Sequence, residues 1–245
     1  MKRPLIEACV DSYASAMAAS RAGADRLELC AHLVIGGTTP THALFRQVQR
    51  DSGVPINVLI RPRFGDFLYT EPELEEMCEE IAAFRDLGAN GVVIAEPVAG
   101  LLSPALSAEF SGPYVKQIVD AVQDDSFLVI YHNCGNSTIQ MIDSILETGS
   151  AAYHFGNAID MAEMMAHIPA GTVAMGNVDP AGEFRNGTPE SIRAATLGVM
   201  DACCKYPNFV ISSGCDIPPL SRWENIDAFF AAVNEFYAGT AAGRG

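Results

Sequence analysis

His132 and Cys134 stand two residues apart at the end of a β-branched and aromatic run, Phe127–His132, and Cys215 follows another such run, Asn208–Ser213. Alternate side chains of a strand share a face, so this imidazole and thiol can point to one place. One His and two Cys match the ligand softness of zinc, and three protein ligands leave a fourth position open for substrate. The plainer reading is three ordinary core residues, since free cysteine is often simply buried. With Cys134 and Cys215 81 residues apart, spacing alone leaves the two readings level. Glu96 and His154 close two further runs and are candidates for a displaceable fourth ligand or a catalytic proton carrier, against a simpler role as satisfied polar residues. Asn177, Asp179 and Asp216 are candidates to contact substrate, although Asp179-Pro180 also suits a chain turn. Arg61 and Arg63, with Asp66, either bind an anionic group or pair with carboxylates of the chain.

These residues need a scaffold that brings distant segments together. Eight short β-prone runs recur, Leu5–Val10, Arg26–Cys30, Ile56–Arg61, Gly91–Glu96, Phe127–His132, Ala152–Phe155, Thr172–Gly176 and Asn208–Ser213, each followed by a helical stretch. Strand–helix alternation of this kind predicts a parallel sheet. Apolar residues at spacings of three and four, such as Leu74, Met77, Cys78, Ile81 and Phe84, predict helix, with Glu73, Glu75, Glu76, Glu79 and Glu80 on its solvated face. Eight such units in 245 residues, with no linker or low-complexity tract, predict a single closed (β/α)8 TIM barrel. In that fold the chemistry sits at the carboxyl ends of the strands, where Cys9, Cys30, Arg61, Glu96, His132, His154, Asn177 and Cys215 fall.

Composition narrows the function classes. Fifteen Lys+Arg against thirty Asp+Glu give a net charge of −15, with no basic run, which argues against nucleic acid and membrane surfaces. Apolar residues make up 49% and charged residues 18%, the balance of a globule with a large core. No apolar run is long enough to span a bilayer, and Pro4, Glu7 and Asp11 interrupt any signal-like start, so a cytoplasmic location is expected. Seven scattered cysteines suit thiols or metal ligands better than a disulfide framework. Cys203-Cys204 falls within a predicted helix, where neighbours point apart, and reads as packing. His32, His42 and His167 have no partner at ligand spacing. No phosphate-binding glycine loop, Gly-x-Ser-x-Gly elbow or His-Glu-x-x-His occurs.

Two family resemblances are carried by specific motifs. Glu7-Ala8-Cys9-Val10-Asp11-Ser12, Ala22-Gly23-Ala24-Asp25-Arg26-Leu27-Glu28-Leu29-Cys30, Gly36-Gly37-Thr38-Thr39-Pro40 and Ile60-Arg61-Pro62-Arg63-Phe64-Gly65-Asp66-Phe67-Leu68-Tyr69 resemble the copper homeostasis protein CutC, with Phe64 where that family carries glycine. Ile94-Ala95-Glu96-Pro97, Leu101-Leu102-Ser103-Pro104, His132-Asn133-Cys134-Gly135-Asn136, Gly176-Asn177-Val178-Asp179-Pro180 and Ser212-Ser213-Gly214-Cys215-Asp216-Ile217-Pro218-Pro219 resemble the corrinoid methyltransferase branch of the uroporphyrinogen decarboxylase superfamily.

The changeover lies near Asp86–Gly91, which implies one barrel assembled from a CutC-like segment, residues 1–90, and a methyltransferase-like segment, residues 91–245: an engineered or recombined chimera. The second resemblance implies that His132, Cys134 and Cys215 hold zinc, which binds a small-molecule thiol as thiolate for methylation by a methylated corrinoid or corrinoid protein. Decarboxylation is disfavoured, because the porphyrin-binding segment of that superfamily is missing. The first resemblance implies Cu(I) at Cys9 and Cys30, since two thiolates on adjacent strands suit a soft ion; two small buried hydrophobes are the simpler reading. Replacing three of eight active-site loops is expected to misplace substrate, so the metal site is expected to outlast efficient turnover.

Overall fold

A computed structural model describes residues 5–66, 69–96 and 99–242. Phe67, Leu68 and Pro97 of the motifs above lie outside the described residues. Eight parallel strands, β1 (Glu7–Val10), β2 (Arg26–Leu29), β3 (Ile56–Leu59), β4 (Gly91–Ala95), β5 (Leu128–Asn133), β6 (Ala152–Phe155), β7 (Val173–Val178) and β8 (Phe209–Ser213), follow one another in the sheet in chain order. Each agrees with its predicted run to within two residues. Helices α1 (Tyr13–Arg21), α2 (His42–Ser52), α3 (Glu71–Asp86), α4 (Pro104–Phe110), α5 (Gly112–Val122), α6 (Ile142–Leu146), α7 (Met161–His167), α8 (Pro189–Cys203) and α9 (Trp223–Ala242) intervene or follow. This is an α/β fold of the (β/α)8 TIM-barrel kind. No helix among the described residues is long and apolar enough to cross a membrane.

Strand alternation sorts the side chains. On β2, Leu27 and Leu29 are fully buried against the helices, whereas Arg26 and Glu28 take the other face. The main core therefore lies between sheet and helices: Leu27, Leu29, Val58, Val92, Val129, Tyr131, Tyr153 and Phe155 meet Phe45, Phe84 and Met164. Burying one such side chain contributes about 1.5–3 kcal/mol. Helix ends are set locally. Thr41 accepts the Leu44 N–H at the start of α2, and Gly53 ends that helix at φ 69, which a side chain would strain.

Three details differ from expectation. Leu74 and Cys78 on α3 are exposed, and Ile81 and Phe84 carry that helix's burial, so the apolar stripe is shorter than its periodicity suggests. Cys203 ends α8 and Cys204 caps it rather than continuing the helix. Hydrogen-bonded ladders join every consecutive strand pair from β1 to β8, but among the described residues none joins β8 to β1. The sheet curls into a barrel that is left open along this seam. Val210, on the same face of β8 as Ser212, keeps 44% of its surface exposed.

Candidate metal centre

The trio is positioned by the turn after β5. His132 lies on the inner face of that strand, and its neighbours Tyr131 and Asn133 point to the helix side, where Asn133 Nδ2 donates to the Tyr131 hydroxyl at 3.1 Å. Asn133 Oδ1 accepts the Gly135 N–H and the Thr138 hydroxyl, each at 3.0 Å, which folds the chain sharply and turns Cys134 toward the barrel mouth. Gly156, just past β6, makes room: a Cβ there would stand 2.5 Å from Cys134 Cα and Cβ. Cys215 arrives from β8, where the Gly214 N–H bonds the Val178 carbonyl at 2.8 Å.

One ligand atom from each of His132, Cys134 and Cys215 lies within 4.8 Å of the other two. His132 Nε2 and Cys215 Sγ are 3.6 Å apart. Metal–nitrogen and metal–sulfur bonds of about 2.0 and 2.3 Å at a tetrahedral angle would set such a pair about 3.5 Å apart. His132 is buried, and among the described residues its Nδ1 has no hydrogen-bond partner. The two sulfurs share a proton: the hydrogen bond from Cys215 pulls Cys134 down to about 6, and the same bond pushes Cys215 up to about 12. One thiolate and one thiol therefore face the imidazole at neutral pH. The donor set is soft, clustered and partly deprotonated, which fits a divalent soft-to-borderline ion.

His154 stacks on His132, with ring centroids 4.6 Å apart at 34°. Its Nε2 donates to the Ser213 carbonyl at 2.8 Å, two residues before Cys215. Burial first, and the His132 charge second, hold His154 down at about 3, so it is neutral. Asp216 lies within electrostatic reach of all three trio residues and of Arg61, and burial raises its carboxyl pKa.

The other predicted site residues are placed elsewhere. Arg61 donates to the carbonyls of Ile35, Gly37 and Gly65 at 3.1–3.2 Å, pinning the loops after β2 and β3. Arg63 pairs with Glu73 and, at 3.0 Å, with Asp66. The Glu96 carboxylate goes to the helix side, accepting from the Ser111 hydroxyl and lying 3.5 Å from the Tyr131 hydroxyl; burial raises its pKa. Asn177 donates to the Gly156 and Ile159 carbonyls at 3.0 and 2.9 Å. Asp179 accepts the Ala181 and Gly182 N–H groups and caps the turn at Pro180–Arg185. Cys30 is buried and its Sγ donates to the Val10 carbonyl at 3.5 Å, whereas Cys9 is exposed, so only one of the two fits the reading as a buried hydrophobe; the neighbouring Cys30 thiol raises the Cys9 pKa.

Sequence reasoning missed three contributors. Asn133 and Gly156 shape the Cys134 turn, and the Ser213 carbonyl ties His154 to β8. An asparagine between two ligands and a glycine closing His154-Phe155-Gly156 are the signals that could have revealed the first two. The backbone contact of Ser213 leaves no trace in residue type. Glu28, on the inner face of β2, was also not singled out; burial and the Glu7 and Asp216 carboxylates push it up to about 8.

Comparison with known proteins gives two kinds of likeness. A CutC family protein of Mesorhizobium japonicum is 52% identical over 90 residues, covering 37% of this chain and 35% of that protein. The copper homeostasis protein cutC homolog of Homo sapiens is 48% identical over 89 residues, 36% of this chain and 33% of that one. The chain thus spans about a third of the length of these curated relatives. A CutC family protein of an Enterobacter strain is 35% identical over 151 residues, 60% of this chain and 57% of that protein, a stretch too long to fit within residues 1–90.

Among solved structures, a methyltransferase from Methanosarcina mazei superposes with a TM-score of 0.65 at 20% identity, covering 82% of this chain and 68% of that one. The putative copper homeostasis protein CutC from Streptococcus agalactiae superposes at 0.61 and 18% identity, covering 84% and 97%. At these identities the superpositions establish the shared fold. The sequence model of uroporphyrinogen decarboxylase (URO-D) matches residues 74–236, which include all three residues of the trio. With about two thirds of its length matched by that model, the chain belongs to the uroporphyrinogen decarboxylase family.

Proposed function

We propose that the protein is a chimeric TIM-barrel scaffold, joining a CutC-like segment, residues 1–90, to a methyltransferase-like segment, residues 91–245, and retaining a zinc centre at His132, Cys134 and Cys215 without efficient native turnover. The observation that carries the metal assignment is the clustering of three ligand atoms within 4.8 Å, with a nitrogen–sulfur edge of the length a tetrahedral site needs. A zinc ion there supplies the Lewis acidity that holds a thiol as its nucleophilic thiolate. The chain's own residues supply the rest: Asn133 and Gly156 orient Cys134, and His154 braces His132 against the strand that leads to Cys215.

The division into segments is supported by the 52% identity to a CutC relative over 90 residues and by a URO-D match that starts at residue 74; the 151-residue match to another CutC relative runs against it. If the centre is active, its reaction is transfer of a methyl group from a methylated corrinoid to a small-molecule thiol. Loss of methylcobalamin absorbance on incubation with zinc-loaded protein and a thiol tests this. A rate close to the protein-free background is expected of a scaffold. A fast rate that disappears in Cys134→Ser would replace the scaffold reading with a working methyltransferase.

A second reading, copper binding at Cys9 and Cys30, is favoured by the identity to copper homeostasis proteins and by the contact between the two thiols. Retention of Cu(I) by the protein but not by Cys30→Ser, with Cys215→Ser unaffected, would support it.

A further inference from the structure

The amino-terminal end of the barrel carries a second concave site. A cavity of about 280 Å³ opens where β2, β3, β4 and β5 begin, opposite the strand ends that lead to His132, Cys134 and Cys215; its walls include Arg26, Pro55, Asn57, Asn90, Asp125 and Leu128. Glu7, on the inner face of β1, holds two of these side chains next to each other: one carboxylate oxygen takes Arg26 Nε and the other accepts from Asn57 Nδ2 at 3.5 Å. That contact assigns the Asn57 amide, since its oxygen would be repelled by the carboxylate. Asn57 is 1% exposed, and its Oδ1 has no hydrogen-bond partner among the described residues. A buried acceptor left this way is costly until a donor reaches it. A Cβ on Gly91 would stand 3.2 Å from this oxygen, so the bare backbone there keeps space beside it free. Further groups on the walls are unspent. Arg26 uses only Nε on Glu7, which leaves Nη1 and Nη2 without partners among the described residues. Asn90 gives its Oδ1 to the Ile56 N–H and keeps its Nδ2 hydrogens. Asp125 is exposed and makes neither a side-chain hydrogen bond nor an ion pair among the described residues. Pro55 and Leu128, the latter 36% exposed, add apolar wall.

We infer that this cavity binds a small zwitterion, an amino acid with a short apolar side chain. Its carboxylate pairs with the Arg26 Nη groups and Asn90 Nδ2, because the free end of a guanidinium matches a carboxylate bidentately. Its ammonium donates to Asn57 Oδ1 and Asp125, which satisfies the orphaned oxygen with a charge-assisted bond. The site is separate from the metal centre and does not depend on that centre being loaded.

The test titrates the full chain by isothermal calorimetry with three probes of one shape: L-valine, isobutylamine, which lacks the carboxylate, and isovalerate, which lacks the ammonium. L-Valine is expected to bind at least about tenfold tighter than either. Arg26→Gln should bring L-valine down to the level of isobutylamine. Asp125→Asn, at an exposed position, should weaken L-valine on the order of threefold to fivefold. Both variants are checked for folding by circular dichroism, and Asp125→Asn keeps the test decisive if Arg26→Gln does not fold. L-Valine should also raise the thermal midpoint of the unaltered protein, with metal content unchanged. No binding of L-valine at about 10 mM would overturn the assignment and leave Asn57 Oδ1 to a water molecule. Equal binding of the three probes, tighter binding of isobutylamine or isovalerate than of L-valine, or L-valine binding indifferent to the substitutions that fold would overturn it as well.

Discussion

The shared proton between Cys134 and Cys215 has a direct consequence for metal capture. Loading must expel that proton, because both sulfurs ligate as thiolates, so affinity should rise with pH until the pair is fully deprotonated. His154 sets the geometry around it. Its neutral ring stacks on His132 and holds the Ser213 carbonyl, so His154→Ala should weaken metal binding about 10- to 100-fold in a competition titration with a chelator. Glu96→Gln should leave metal affinity within about twofold, since its carboxylate engages Ser111 and Tyr131 on the helix side. A loss of metal on Glu96→Gln as large as that on His154→Ala would contradict these placements.

Glu28 gives a pH dependence that belongs to stability. Its folded pKa, about 8, lies above the ordinary carboxylate value, so the folded state binds the extra proton. Its contribution is fully present below the unfolded pKa, near 4.5, and is lost as pH rises through about 8. Thermal midpoints should therefore fall across that window, and Glu28→Gln should reduce the fall by several degrees. At this scale the sequence showed the trio, because residue type and strand-end position suffice to nominate soft ligands. It did not show which face Glu96 takes, since that depends on whether the chain after β4 continues the strand's alternation.

Elements place the ligands by caps and turns rather than by propensity. Asp179 caps the turn after β7 through the Ala181 and Gly182 N–H groups, and Asn225, fully buried on α9, donates to the Glu183, Phe184 and Gly187 carbonyls of the same segment. Asp179→Ala should cost about 1 kcal/mol in denaturant unfolding while leaving metal content unchanged. A loss of metal with unchanged stability would instead make Asp179 part of the site. Strand positions were legible because β-branched runs alternate with helical spacing along the whole chain. Asp179 was ambiguous because an Asx cap and a pocket carboxylate have the same sequence signature.

At the scale of the molecule, barrel closure needs strand number, tilt and stagger to agree, and the missing β8–β1 ladder leaves two sheet edges unpaired among the described residues. Hydrogen exchange should be faster at the amides of β1 and β8 than at those of β4 and β5, which are paired on both sides. Equal protection across the eight strands would mean that the seam is closed in solution. The sequence announced eight units and so a barrel, but closure is a property of register between the first and last strands, which no local pattern encodes.

We propose that residues drawn from two distant strands of this barrel form one metal centre. Metal content, measured by inductively coupled plasma mass spectrometry on protein purified without chelator, tests it most directly when Cys215→Ser is measured alongside. About one zinc per chain, lost in the variant, is the predicted result. Protein without zinc, or with metal that survives the loss of Cys215, would contradict it.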